Sequence, residues 1–119
     1  MMNILIYPKC TTCQKAVKWL TANGVEVTKR HIVEEPLTVT ELKELHLKAN
    51  VPIKKFFNTS GMKYRELGLK DKISTLSDEE CYQLLASDGM LVKRPLAYND
   101  HQVTFGFKEP VYEATWKKA

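Results

Sequence analysis

The sequence has no long apolar run. No stretch comes near the ~20 consecutive apolar residues that a membrane-spanning helix needs, and the opening Met1-Met2-Asn3-Ile4-Leu5-Ile6-Tyr7-Pro8 is too briefly apolar for a secretory signal. The expected location is therefore the cytoplasm, with no membrane partner. Cysteine is scarce, three in 119 residues, which excludes the disulfide framework of a small secreted domain. Gly and Pro number five each, and there is neither an internal repeat nor a low-complexity tract, so collagen-like, linker-like and solenoid architectures are excluded. Basic runs are missing as well. Eighteen Lys and Arg against fourteen Asp and Glu leave a formal charge of +4, but the cations are scattered and no basic stripe with interleaved aromatics marks a nucleic-acid surface. Direct nucleic-acid binding is not expected; the positive balance leaves room for a mild anion preference near a site.

What remains is an ordinary globular composition, 44% hydrophobic and 27% charged, in a length that lets one domain bury its own core. A monomer is the default. Residues 3–7 are apolar and β-prone; Pro8 and Cys10-Thr11-Thr12-Cys13 then interrupt the run before Ala16, Val17 and Leu20 recur at helical spacing. Asn23-Gly24 closes that helix, and Val25-Glu26-Val27-Thr28, with Ile32 beyond, alternates like a second strand. Strand, helix and strand make a βαβ unit with parallel pairing. Thr38-Val39-Thr40-Glu41 has capping-box spacing and predicts a helix over 39–49; Ser77-Asp78-Glu79-Glu80 repeats the signal ahead of Leu84 and Leu85. Between them, 52–57 reads as a short helix, Asn58-Thr59-Ser60-Gly61 as a turn and 62–69 as a further helical piece. After Asp88-Gly89 the segments 90–93, 96–98 and 102–105 read as short strands, with Asn99-Asp100 as a hairpin turn, and 109–116 as a closing helix. The expected fold is an α/β thioredoxin arrangement, βαβ then ββα, in a single domain whose helical insertion covers roughly residues 36–88.

The chemistry points to Cys10. A thiol at the head of a helix faces unpaired backbone N–H groups and the positive end of the macrodipole, both of which favour thiolate. Cys13 follows one helical turn later, within reach of a mixed disulfide or sulfenic acid formed at Cys10. Cys10 is thus the expected nucleophile and Cys13 the resolving thiol, with Lys9 as a nearby cation. A C-x-x-C pair can also pack passively or bind metal, but the strand-then-helix setting is the one redox chemistry uses. A tetrahedral zinc site would need two more ligands, and Cys81, His31, His46 and His101 show no paired spacing, so no metal is expected. Cys81, with Leu84 and Leu85 at the next helical positions, reads as a core thiol, and the histidines as surface or structural residues. Once a thioredoxin-type fold is granted, Pro95 becomes the candidate cis-proline beside the reactive thiol. Arg94 then points to the same pocket, where it can hold an oxyanion or steady a thiolate.

Four stretches together resemble the arsenate reductase-like ArsC/Spx family over nearly the whole chain. They are Tyr7-Pro8-Lys9-Cys10-Thr11-Thr12-Cys13-Gln14-Lys15-Ala16; Lys55-Phe56-Phe57-Asn58-Thr59-Ser60-Gly61 running into Tyr64-Arg65-Glu66-Leu67-Gly68-Leu69; Leu85-Ala86-Ser87-Asp88-Gly89-Met90-Leu91-Val92-Lys93-Arg94-Pro95-Leu96; and Gly106-Phe107-Lys108. The resemblance implies a thioredoxin-like fold with a helical insertion, a reactive Cys10 and an Arg94 ahead of a cis Pro95. Thr11, Thr12, Lys9, Asn58 and Pro95 are the expected substrate-binding positions. Arsenate reductases of this family that depend on glutathione and glutaredoxin hold the oxyanion with three arginines and usually carry a single cysteine with a histidine just before it. Here Asn58 stands where the first arginine would fall, Phe107 or Lys108 where the third would, and the histidine is missing. Losing two guanidinium groups removes charge-assisted contacts of roughly 1.5–3 kcal/mol each, which argues against efficient arsenate turnover. The retained pair is more similar to the C-x-x-C members, which include redox-sensing regulators that bind RNA polymerase. Three functions follow as expectations. The first is a thiol-disulfide oxidoreductase with no bound cofactor, reset by an external thiol donor, either glutathione with glutaredoxin or thioredoxin. The second is a regulator that binds the RNA polymerase α subunit without turnover, and the third is true reduction of an arsenate oxyanion.

Overall fold

In chain order the computed structural model contains β1 (Met2–Ile6), α1 (Thr11–Ala22), β2 (Val27–His31), α2 (Val39–Ala49), α3 (Met62–Glu66), α4 (Leu69–Lys72), α5 (Asp78–Ser87), β3 (Leu96–Tyr98), β4 (Val103–Phe105) and α6 (Glu109–Thr115), with short 3-10 turns at Ile53–Phe56, Ile73–Thr75 and Gly89–Leu91. It describes residues 2–117. These fall into two compact units: residues up to His31 together with those from Arg94 onward, and Ile32–Lys93.

The first unit is a four-stranded sheet in the order β2-β1-β3-β4. β1 pairs parallel with β2 and antiparallel with β3, and β3 pairs antiparallel with β4. The parallel pair needs a crossover, which α1 supplies. Met2 and Ile4 alternate onto one face of β1 and are buried with Ala16 and Leu20 of α1, Ala97 of β3, Tyr112 of α6 and Trp116 just beyond it. Fully burying each large apolar side chain contributes about 1.5–3 kcal/mol relative to exposure. The polar tips brought in with the aromatics are satisfied: Trp116 Nε1–H donates to Thr104 Oγ1 at 3.0 Å and the Tyr112 hydroxyl donates to the Gly106 carbonyl at 3.1 Å. With its βαβ half followed by ββα, the arrangement is thioredoxin-like.

The second unit is helical. Thr38 and Glu41 form a reciprocal capping box at 3.1 and 3.0 Å that starts α2, and Ser77 with Glu80 does the same for α5. α2 ends at Asn50, held in the left-handed region at φ +51°. The His46 ring joins both helices to the loop between them, with Nδ1 against the Tyr82 hydroxyl at 2.6 Å and Nε2 against the Val51 carbonyl at 2.7 Å. It is a structural histidine. Cys81 is fully buried in α5, as a core thiol should be.

Three local expectations differ from what is found. Residues 90–93 do not form a strand: Asp88 Oδ1 accepts the Met90 N–H at 2.9 Å and folds Gly89–Leu91 into a turn, leaving only Val92 to bridge Phe57. β2 starts at Val27 rather than Val25, because the Val25 N–H is tied back to the Leu20 carbonyl at 2.9 Å behind Gly24 at φ +69°. The piece over 62–69 splits into α3 and α4 at Gly68, whose φ of +63° cannot continue a helix.

Candidate active site

β1 stops at Ile6, and the next three residues turn the chain so that the Cys10 N–H reaches the Tyr7 carbonyl at 2.9 Å. Gln14, in the first turn of α1, reaches back and donates from Nε2 to the Pro8 carbonyl at 2.8 Å, pinning the approach loop to the helix. Cys10 is the N-cap residue of α1, with extended backbone and a side chain that plays the part usually taken by Ser, Thr or Asp. Its Sγ accepts the Cys13 N–H at 3.3 Å. The twelve-residue helix behind it carries no acidic residue in its first turn, so nothing at that end offsets the positive pole of the dipole.

Arg94 enters from the far end of the chain, just before β3, through a cis Arg94–Pro95 peptide bond. Its guanidinium lies 5.4 Å from the Tyr7 ring centroid, within cation–π distance, and its positive charge acts on the Cys10 sulfur. Its Nη1 is buried with no hydrogen-bond partner, a donor that an anionic oxygen would satisfy.

The two thiols are driven apart by these surroundings. Burial by itself pushes Cys10 up, but the Cys13 thiol and backbone N–H bonded to its sulfur, together with the charge and hydrogen bond of Arg94, hold it below the ordinary thiol value. Cys13 is only 1% exposed. Burial, and after it the hydrogen bond to Cys10, pushes its thiol up to about 12. The thiolate fraction of Cys10 is raised, beside a thiol at Cys13 that keeps its proton at neutral pH.

The structure thus brings Cys10, Cys13 and Arg94 together. Thr11 and Thr12 are exposed on the first turn of α1, Lys9 is exposed on the approach loop, and Pro95 is buried at the start of β3. The cation acting on Cys10 is Arg94. Asn58 belongs to the helical unit, where its N–H donates to the Leu91 carbonyl at 2.8 Å and its Oδ1 accepts from the Ser60 hydroxyl at 3.3 Å. Tyr7 and Gln14 were given no role by sequence reasoning. Tyr7 had no readable signal, since its partner Arg94 is distant in sequence; Gln14, four residues past a helix N-cap, is a position from which a side chain can reach the preceding loop. Among the described residues no group of three or more His, Cys, Asp or Glu side chains could hold a metal ion, and no helix is long and apolar enough to cross a membrane.

The chain is similar to known proteins over most of its length. The model of the ArsC family matches residues 5–115. The uncharacterized protein YusI of Bacillus subtilis is 56% identical over 110 residues, covering 92% of this chain and 93% of that protein. The global transcriptional regulator Spx of Staphylococcus epidermidis is 27% identical over 109 residues, covering 92% of this chain and 82% of that protein. The crystal structure of an ArsC family related protein from Bacteroides fragilis superposes with a TM-score of 0.91 at 49% identity, over 95% of each chain.

Proposed function

We propose, from the premise that the chain belongs to the ArsC family, that it is a thiol-disulfide oxidoreductase in which Cys10 is the nucleophile and Cys13 the resolving thiol. The observation that carries this reading is the placement of the two thiols across a single helical turn, Cys10 capping α1 and accepting the Cys13 N–H at 3.3 Å with Cys13 buried behind it, surroundings that push Cys10 down and Cys13 up. The Cys10 thiolate attacks one sulfur of a substrate disulfide; a Cys10 mixed disulfide forms, the substrate S–S bond breaks, and the other half leaves as a thiolate. Cys13 then has less reason to stay protonated, because the negative charge at Cys10 that helped to raise it is gone. It loses its proton, attacks the Cys10 sulfur and expels the second half as a thiolate. Two electrons have passed to the substrate and a Cys10–Cys13 disulfide remains, which an external thiol donor, glutathione with glutaredoxin or thioredoxin, reduces. No bound cofactor is required. An oxyanion substrate would meet the same thiolate, with Arg94 Nη1 as its donor. The cycle needs a compartment that keeps thiols reduced, the cytoplasm.

The test is iodoacetamide alkylation of Cys10 against pH, run beside disulfide turnover and mass spectrometry of the pair after mild peroxide. We expect the alkylation midpoint below the ordinary ~8.5, a Cys10–Cys13 disulfide after peroxide, and complete loss of turnover in Cys10→Ser. A midpoint at or above that value together with unimpaired turnover in Cys10→Ser would end the proposal.

The similarity to Spx supports a second reading, a redox-sensing regulator that does not turn over. Oxidation of the pair would then alter a surface that binds the RNA polymerase α subunit. Binding of purified α subunit that differs between oxidised protein and Cys10→Ala, with no reductase activity from any donor, selects this reading.

A further inference from the structure

Beside Cys13 the apolar interior of the sheet unit comes to the surface. The register places Val27 and Lys29 of β2 opposite Met2 and Ile4 of β1, so both lie on the face of the sheet that α1 covers. The helix does not reach far enough to close over them: Val27 stays half-buried and Lys29 exposed. A hollow of about 320 Å³ results, with Ile6, Tyr7, Pro8, Cys13 and Val17 in its walls and Lys18 and Lys29 beside them. A second, of about 530 Å³, shares Val17 and Lys29 with the first and continues past Thr21, Val25 and Val27 to Gly24. Together they form one groove that starts at the resolving cysteine and follows α1 down the edge of the sheet. At 1.5 Å per helical residue the run from Cys13 to Gly24 is about 16 Å, the length of about five residues of extended chain.

Ile6, Pro8, Val17, Val25 and Val27 give the walls apolar surface, Gln14, Thr21 and Thr28 interrupt it, and the charge is mainly positive. Lys18 and Lys29 are exposed and make no ion pair among the described residues, while Glu26 is an acid at the far end. We propose that this groove binds the extended apolar and acidic segment flanking the disulfide of a protein substrate. The inference rests on the oxidoreductase reading and names its substrate class. Valine-like side chains fill the trough, a carboxylate on the segment meets Lys18 and Lys29, and the substrate sulfur is delivered to Cys10, whose own sulfur accepts the Cys13 N–H. The chemistry is the exchange already described: Cys10 forms the new S–S bond, the substrate's old one breaks, and the leaving half departs as a thiolate.

Three heptapeptides with a central cysteine, flanked on both sides by Val-Glu-Val, Val-Lys-Val or Gly-Ser-Gly and activated as mixed disulfides with thionitrobenzoate, test the proposal through the single-turnover rate of thionitrobenzoate release. Hydroxyethyl disulfide, whose reduction is followed by the loss of the protein's own free thiols, is the small control. The Val-Glu-Val peptide is expected to react about tenfold faster than Gly-Ser-Gly and about threefold faster than Val-Lys-Val. Lys18→Glu combined with Lys29→Glu should invert the order of the two charged peptides while changing the hydroxyethyl disulfide rate by less than about twofold. Equal rates for the three peptides, or an order indifferent to the charge reversal, overturn the groove while leaving the oxidoreductase reading intact if the control is reduced. Inertness toward peptides and control alike overturns both.

Discussion

The two units each carry a helix with a cysteine at or near its first turn, and the two thiols are pushed in opposite directions relative to solution. Cys10 caps α1 in the sheet unit, where the first turn holds only Thr11, Thr12 and Cys13 and where Arg94 adds a cation. Cys81 lies in the first turns of α5 in the helical unit, behind Asp78, Glu79 and Glu80. Burial pushes Cys81 up, and the charges of Asp78 and Glu80 push it further. A helix N-terminus therefore does not by itself make a thiolate. The macrodipole contributes only the equivalent of about half a charge; one or two carboxylates on the same turn cancel it, and an arginine reinforces it. The acids serve α5 well as a helix, since Glu80 completes its capping box, and they add to the burial that already keeps its cysteine from acting as a nucleophile.

If packing alone hides Cys81, loosening the helical unit should reveal it. A β-carbon at Gly89 would collide with the Ile32 carbonyl oxygen, a backbone atom that cannot step aside. Gly89→Ala is expected to cost about 3 kcal/mol or more, read as a lower unfolding midpoint, and to let alkylating reagents reach Cys81 under conditions where the parent protein protects it. A fully stable, fully protected Gly89→Ala would show that the backbone gives way at this contact.

The cation is the next term to remove. Arg94→Gln takes away the guanidinium that favours the thiolate, so the Cys10 ionisation should move up. Below that midpoint, each tenfold loss of thiolate is partly offset because the more basic thiolate is the better nucleophile, so the alkylation rate at neutral pH should fall by about three- to fourfold. An unchanged pH profile would mean that Arg94 holds only substrate.

The smallest effect sharpens the comparison most. Grafting the acids of α5 onto α1, as Thr11→Asp with Thr12→Glu, puts two solvent-screened charges beside Cys10. They should raise its ionisation midpoint enough to slow alkylation at neutral pH by about threefold, while α1 keeps or gains thermal stability because acids suit a helix N-terminus. Faster alkylation in the graft would contradict the assignment of charge as the difference between the two cysteines.

Much of this was legible in the residues because it is local. The capping boxes at Thr38 and Ser77, the strand ahead of Cys10, the closing helix after Lys108 and the spacing of Cys10 from Cys13 are all settled within four positions along the chain, where hydrogen-bond geometry leaves few alternatives. The missed elements were also local in appearance but were decided elsewhere. Residues 90–93 have strand-like side chains, yet the Asp88 side chain and the close approach of Gly89 to Ile32 make a turn of them. The approach loop hid the parts played by Tyr7 and Gln14 in the same way.

By itself the sequence determined which sulfur stands at the head of a helix and which stands one turn behind it, since the strand, the interruption and the helical periodicity are written consecutively. Only the tertiary structure decided how acidic that first sulfur is. The antiparallel register that sets Leu5 against Leu96 carries Arg94 to the end of β1, and a guanidinium acts on a thiol through a few ångströms of space irrespective of the length of chain that separates them.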